Sequence, residues 1–144
     1  MTTRQDAGMT ERRNAGGRMV GRVHQLQTYE RAYGAAMDLY RASKAWPKEE
    51  RYALVDQIRR SSRSVCANMA EAWAKRPYPK HFVSKLSDAH GEAEETLVWI
   101  RFARDCDYLN PEAAERLTEI YRRVIGGLIK MMRRPGPWCG PARR

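Results

Sequence analysis

Two groups of basic residues in this sequence could bind the phosphates of a nucleic acid. One is a run of arginines in the central region, and the other surrounds a pair of prolines further along the chain. Lys and Arg neutralise phosphate charge and donate hydrogen bonds to phosphate oxygens. With two arginines near the end of the chain, the candidate nucleic-acid-binding residues are Lys75, Arg76, Lys80, Arg59, Arg60, Arg63, Arg133 and Arg134.

The central arginines have an alternative explanation in ion pairing. If two helices turn about Tyr78, Arg60 and Arg63 come level with residues 93–96, in a segment rich in glutamate. These glutamates are Glu92, Glu94 and Glu95. Ion pairs within or between subunits would neutralise much of the positive charge, and we favour this explanation for Arg60 and Arg63. The group around the prolines has no nearby run of acids and is the stronger candidate for binding RNA.

Three polar residues on or beside the expected apolar faces are interpreted as structural. They are Asn68, Glu71 and Glu95. The same turn places Glu71 level with Lys85, and it places Asn68 level with Asp88. A catalytic carboxylate would need a second acid or a histidine close by, and this register supplies neither. Polar residues at such positions in helical bundles fix register or subunit geometry.

No motif of an enzyme or a metal site is complete in the sequence. A di-iron bundle requires Glu-x-x-His pairs, and no histidine here has a glutamate three positions earlier. His90 to Glu92 matches half of a zinc deaminase signature, but the P-C-x-x-C partner is missing. Arg76 to His81 has the R-x4-H spacing that resembles the ribonuclease motif of HEPN-type helical domains. We expect no enzyme activity, no metal and no cofactor, and keep RNA cleavage through His81 as an alternative.

The composition is that of one globular domain and is compatible with a polyanionic partner. The chain has 144 residues, of which 42% are hydrophobic and 31% charged, with a formal net charge of +10. Three cysteines without a CxxC pair support neither a disulfide framework nor a zinc ribbon. No apolar run approaches the roughly 18 residues of a membrane span, and the first residues lack a signal peptide's apolar region. We expect a reduced, cytoplasmic protein without a membrane segment.

Most of the basic excess lies near the two ends of the sequence. Residues 1–23 have a net charge of +3 and residues 133–144 a net charge of +4, which leaves +3 for residues 24–132. The end segments also hold six of the ten glycines and three of the seven prolines. Such segments bury too little apolar surface to offset their chain entropy, so we predict two disordered basic arms.

Four helices are predicted between the arms, because prolines divide residues 24–132 into four stretches, each with apolar residues three or four positions apart. Short connections favour an all-α antiparallel up-down four-helix bundle. Asn110 followed by Pro111 predicts the start of the fourth helix. The expected core stripes are Leu26, Tyr29, Tyr33, Ala36, Tyr40; Val55, Ile58, Ser62, Val65, Met69, Ala72; Phe82, Leu86, Ala89, Ala93, Thr96, Ile100, Ala103; and Ala113, Leu117, Ile120, Tyr121, Val124, Ile125, Leu128, Met131.

The second of these stretches resembles a family signature. Residues 57–72 read QIRRSSRSVCANMAEA, similar to the "QiRRaaxSIpaNIAEG" pattern of bacterial four-helix-bundle proteins associated with 23S ribosomal RNA intervening sequences. Residues 46–50 resemble that family's "fPxeE" start of helix two, and residues 91–95 its third helix. The sequence departs from the pattern at Cys66, Ala72 and Glu92, where the family has Pro, Gly and Ser. Without that Pro and Gly, helix two is expected to be straighter.

The resemblance implies a four-helix protomer that assembles into a ring-like homopentamer. It also implies kinship with the accessory variability proteins of diversity-generating retroelements, which are basic pentameric barrels that engage a reverse transcriptase and its template RNA. We therefore expect a non-catalytic, oligomeric RNA-binding protein. The alternative is a protein adaptor or accessory subunit that docks a partner such as a reverse transcriptase.

Overall fold

The structure, a computed structural model, describes residues 21–23 and 26–140. Within these residues the chain is helical and contains no strand, which confirms the all-α prediction. A 3-10 turn at Lys48–Glu50 separates the first two helices. The helices are α1 Gln27–Ser43, α2 Leu54–Ala74, α3 Pro79–Asp105, α4 Pro111–Arg133 and the short α5 Gly136–Cys139.

The four long helices pack into a bundle in which α2 lies along α3, α3 along α4, and α1 against both α2 and α4. Two side-chain pairs define how α2 and α3 align. Lys85 Nζ lies 2.7 Å from a carboxylate oxygen of Glu71, and the Thr96 hydroxyl donates to the Ser61 hydroxyl oxygen at 2.8 Å. The first pair is centred on Tyr78 and the second between Tyr78 and Pro79, so α2 and α3 align in the predicted register.

The core stripes predicted for α2 and α3 are confirmed, because every residue named for these two helices is buried. In α4 the buried stripe includes Tyr121, as predicted. It also includes Ala114 instead of the predicted Ala113, which is half-buried. The Asn110 side chain accepts a hydrogen bond from the Ala113 backbone N–H at 2.7 Å. This bond caps the first turn of α4, as the Asn-Pro sequence predicts.

The stripe predicted for α1 is wrong at Tyr33, whereas Tyr29 packs against the core as predicted. Tyr33 is 52% exposed, and Tyr29 and Tyr40 are half-buried. The inward face is built instead from small residues at neighbouring positions, and it consists of Thr28, Ala32, Ala35, Ala36, Leu39 and Ser43. Small side chains at these positions let α1 approach its neighbours closely. The buried Thr28 packs directly onto Gly127 of α4.

The segment 46–50 does not begin α2, in contrast to the start of helix two in the family pattern. It forms the 3-10 turn, and the α-helix begins at Leu54 after Ala53 takes a non-helical backbone conformation. One carboxylate oxygen of Glu50 accepts the Leu54 backbone N–H at 3.3 Å. Glu50 therefore satisfies one of the free N–H groups at the start of α2.

The predicted disordered arms fall mainly outside the described residues, which begin at Gly21 and end at Gly140. Inside them, the expectation for residues 133–144 is wrong at Gly136–Cys139, where the chain forms α5. Trp138 of α5 packs against Trp73 with ring centres 5.8 Å apart, and Cys139 also packs against the core. The apolar surface of Trp138 gives this segment enough burial to order it.

Candidate nucleic-acid interface

Trp73, near the end of α2, holds both termini of the described chain at one end of the bundle. Its indole N–H donates to the backbone oxygen of Gly21 at 3.2 Å, and Trp138 packs on its ring. Trp73 itself is only 6% exposed, so it is a fixed part of the core. The chain therefore enters and leaves the bundle beside the turn between α2 and α3.

The basic residues predicted at that turn lie next to Trp73. The Arg76 guanidinium carbon stands 4.2 Å from the Trp73 ring centre, and its Nε donates to the Trp73 backbone oxygen at 2.9 Å. Partial burial there lowers the pKa of Arg76, and the nearby Cys139 acts in the opposite direction. Lys75 and Lys80 are exposed, and neither forms an ion pair within the described chain.

Arg133 and Arg134 lie where α4 ends, immediately before α5. Both side chains are exposed. Because α5 brings Trp138 onto Trp73, these arginines belong to the same end of the molecule as the turn residues. We call this end the basic pole, defined by Lys75, Arg76, Lys80, Arg133 and Arg134.

The central arginines lie on a second surface, in a groove beside α1. Three cations surround the Tyr40 ring, since Arg59, Lys44 and Arg63 stand 4.7, 4.8 and 5.6 Å from its centre. Arg59 is held firmly, because its Nε donates to the Ser43 hydroxyl oxygen at 2.8 Å and a second nitrogen donates to the Tyr40 backbone oxygen at 3.2 Å. A cavity of about 500 Å³ lies beside them, and its charged and hydroxyl lining is Arg51, Asp56, Arg59, Arg60, Arg63 and Ser64.

Within the described residues of one protomer, Arg60 and Arg63 form no ion pair with the α3 glutamates. Arg60 pairs instead with Asp56 on its own helix, at 3.3 Å. The described residues contain no ion pair to Arg63. Glu92 forms no ion pair with Arg60, although the charge of Arg60 affects its titration. Desolvation, Glu95 and Asp88 raise the pKa of Glu92, and Arg60 opposes them. Within one protomer, acids therefore neutralise less of the positive charge of these arginines than the sequence predicts.

Lys44, Arg51 and Tyr40 belong to this basic surface but were not predicted from the sequence. Tyr40 and Lys44 stand four positions apart and so share one face of α1, which was an available signal. The sequence contained no sign that this face meets the arginines of α2, because the meeting depends on how α1 packs. The residues that lie level in a helical hairpin can be counted from its turn. The rotation of a helix about its own axis, which decides which face meets a neighbour, cannot be obtained in this way.

The polar residues interpreted as structural all make contacts within the protomer. The Asn68 side chain donates to the Ser64 backbone oxygen at 3.0 Å, within α2. Glu71 pairs with Lys85 across the hairpin, and this hydrogen-bonded pair raises the pKa of Lys85. The Trp99 indole N–H donates to the Glu95 carboxylate at 3.1 Å.

The potential metal ligands in the described part of the chain are dispersed. Residues 21–23 and 26–140 contain no group of three or more His, Cys, Asp or Glu suited to a metal ion. His81 stands edge-on to Tyr78, with ring centres 6.0 Å apart, while Arg76 lies on Trp73. Burial, followed by the charge of Glu30, raises the pKa of the Cys66 thiol to about 11, which is unfavourable for a nucleophile.

These features define a small helical-bundle protein with two basic surfaces. Comparison with known proteins places it more closely: the model of the 23S rRNA-intervening sequence protein family matches residues 24–130, and the chain belongs to that family. In the described part of the chain, no helix is both long and apolar enough to span a membrane.

A solved structure supports the fold. The chain is similar to a protein with unknown function of the S23 ribosomal protein family from Bacteroides thetaiotaomicron, with a TM-score of 0.64 and 23% identity. The similarity covers 73% of this chain and 97% of that one. At this identity the likeness concerns the fold alone. Among curated proteins, none matches the chain.

Proposed function

We propose that this protein is a non-catalytic RNA-binding protein of the cytoplasm. Its working form would be a ring-like homopentamer of antiparallel, up-down four-helix protomers, as its family resemblance implies. RNA would bind through phosphate contacts with the basic pole and with the basic segments attached to it. Such contacts give affinity that does not depend on a reaction centre.

The observation that supports this proposal most is that both ends of the described chain meet at Trp73. Gly21 and Trp138 contact the same indole ring, beside the turn that bears Lys75, Arg76 and Lys80. Residues 1–20 contain four arginines and residues 141–144 contain two, so the sequence attaches further basic residues at this end. Clustered positive charge at one end of a protein favours association with a polyanion.

A salt titration of RNA binding tests the proposal. The full chain would be titrated with a structured RNA between about 50 and 200 mM salt, where phosphate contacts weaken binding steeply. Replacing Lys75 and Lys80 by Gln is expected to lower the slope of affinity against salt by about 1.4 to 1.8, at roughly 0.7 to 0.9 per phosphate contact.

The matched control is Arg101→Gln together with Arg123→Gln, which removes the same charge elsewhere. Each of these exposed arginines pairs with an acid on its own helix, Asp105 and Glu119 respectively. The control is expected to keep the wild-type slope. A wild-type protein that binds no RNA at low salt would refute the proposed function.

An accessory role in a protein complex is the second candidate, and an exposed apolar strip favours it. Val98 and Phe102 are 49% and 54% exposed at i and i+4 of α3, and Phe102 packs against Trp99. Single exposed apolar residues are common, but a paired strip is typical of protein contacts. A reverse transcriptase would be the partner that the retroelement resemblance suggests, and a complex that persists at high salt would support this role.

A further inference from the structure

We propose that the groove along α2, beside the end of α1, binds a single-stranded segment of RNA, with phosphates on its arginines and a base stacked on Tyr52. This inference rests on the RNA binding proposed above and assigns it a second contact surface and a strand preference. The groove is defined by Arg51, Asp56, Arg59, Arg60, Arg63 and Ser64, with Tyr40 and Lys44 on its α1 side.

The floor of the groove is preorganised. Arg59 donates to the Tyr40 backbone oxygen and to the Ser43 hydroxyl oxygen, both in the last turn of α1, so its guanidinium is held in one place. The Tyr40 ring beneath it offers an electron-rich face to three cations. A fixed guanidinium loses little freedom when it meets a phosphate oxygen.

The charge of the groove is unbalanced in favour of an anion. Four arginines line it, whereas Asp56 is its only acid, and Asp56 already pairs with Arg60. Within the described chain, no carboxylate pairs with Arg51, Arg59 or Arg63. Like charges held this close repel one another, and a phosphate placed among them would relieve the repulsion.

Tyr52 gives the surface a place for a base. It is 85% exposed in the turn before α2, and the Arg51 guanidinium carbon lies 5.9 Å from its ring centre. Arg51 lines the groove, so the ring stands at the groove's edge. Basic side chains beside exposed aromatic rings are typical of surfaces for single-stranded nucleic acids, because an unpaired base can stack while its phosphate is neutralised.

A duplex would use this surface differently. Its bases are already stacked on one another, so Tyr52 would gain no base and only the arginines would contribute. Stacking and charge are therefore separable by experiment. Loss of Tyr52 should weaken single-strand binding without changing its salt dependence, and loss of the arginines should change the salt dependence.

The test uses the full chain, a labelled oligouridylate of about 12 nucleotides and an RNA duplex of the same length. Binding would be measured by fluorescence anisotropy over a range of salt. Tyr52→Ala is expected to weaken oligouridylate binding about fivefold to a hundredfold and to leave duplex binding unchanged. Arg51→Gln with Arg63→Gln is expected to lower the salt slope for oligouridylate by about 1.4. Arg59 is left intact because it also holds the end of α1.

The control is again Arg101→Gln with Arg123→Gln, which matches the charge change outside the groove. If the wild type binds neither RNA, the proposed function itself fails. If it binds both RNAs and the groove variants behave like the control, the groove assignment is overturned while RNA binding stands. Equal losses for single strand and duplex in Tyr52→Ala, or equally tight binding of polyglutamate, would also overturn it.

Discussion

At the scale of single residues, Glu50 connects three parts of the bundle. One carboxylate oxygen accepts the Leu54 N–H at the start of α2, and the other accepts the Tyr108 hydroxyl at 2.9 Å from the loop before α4. Trp46 packs on the same tyrosine, with ring centres 5.6 Å apart. The carboxylate therefore joins the 3-10 turn to the start of one helix and the approach to another.

This contact predicts an unusual titration of Tyr108. The hydrogen bond to Glu50, then burial and the Glu50 charge, raise the pKa of Tyr108 to about 12. The pKa in the unfolded chain is about 10, so the contribution to stability is complete below pH 10 and is lost as the pH rises through about 12. The difference in phenolate absorbance between wild type and Tyr108→Phe should have its midpoint near pH 12. A midpoint near 10 would show that the hydrogen bond is absent.

Two adjacent glycines in α4 predict opposite effects of the same substitution. A Cβ at Gly127 would overlap the Thr28 hydroxyl oxygen and lie 3.2 and 3.3 Å from Thr28 Cγ2 and Cβ, whereas a Cβ at Gly126 would meet nothing within 4 Å. Gly126→Ala is expected to stabilise the protein by about 0.5 to 1 kcal/mol through helix propensity. Gly127→Ala is expected to be about 1 to 3 kcal/mol less stable than Gly126→Ala.

Urea denaturation of the two variants measures this difference directly, because the substitution and the helix are the same. Equal stability of the two variants would mean that α1 and α4 do not approach closely at Thr28.

At the scale of elements, α5 is a helix of four residues and has no stability of its own. It is held by Trp138 on Trp73, so Trp138→Ala should release the segment and destabilise the protein by about 1 to 2 kcal/mol. Hydrogen exchange of the Cys139 and Gly140 amides, which bond back to Pro135 and Gly136, should become fast. Tyr52→Ala removes an 85% exposed ring and should leave both stability and exchange unchanged. Continued protection in Trp138→Ala would show that α5 is held by other contacts.

The elements also show how far sequence determined the fold. The stripes of α2 and α3 and the register of Glu71 with Lys85 were predictable, since spacing and one turn determine them. The inward face of α1 was not, because alanines and tyrosines both recur at helical spacing there. Contacts such as Trp138 with Trp73 join residues far apart in sequence, and no local pattern indicates them.

One part of the candidate site was likewise predictable from the sequence, and the other part was not. The turn group at Lys75, Arg76 and Lys80 was recognisable because a basic run without acids stands out in a sequence. For Arg60 and Arg63 the sequence predicts ion pairing, because the glutamates of residues 92–95 lie near them in register. The structure pairs Arg60 with Asp56 on its own helix and places Arg63 on Tyr40. The rotation of the helix therefore decides which positive charges remain without an acidic partner.

At the scale of the whole molecule, the basic pole and the groove occupy different parts of α2. Arg59 and Lys75 are sixteen positions apart, which corresponds to roughly 24 Å along a helix at 1.5 Å per residue. A strand of several nucleotides would be needed to reach from one to the other. Binding at both would therefore depend on RNA length, as expected for linked sites.

The exposed strip on α3 predicts how copies of the chain assemble. Val98 and Phe102 lie outside the protomer's core, and charge placed there would have to be desolvated in any protein contact. The proposed pentamer would have about five times the protomer mass of 16.7 kDa. Val98→Asp with Phe102→Asp is expected to shift the protein to the mass of the protomer in sedimentation equilibrium, with its helical circular dichroism retained.

Tyr52→Asp is the control for assembly, because it places a charge on an exposed aromatic position away from α3. It should leave the mass unchanged. If the strip variant keeps the wild-type mass, α3 does not form the contact between copies and its apolar face remains available to a different protein. A wild type that sediments as a protomer at all concentrations would refute the pentamer. RNA binding by that protomer would then depend on the pole and the groove of a single chain.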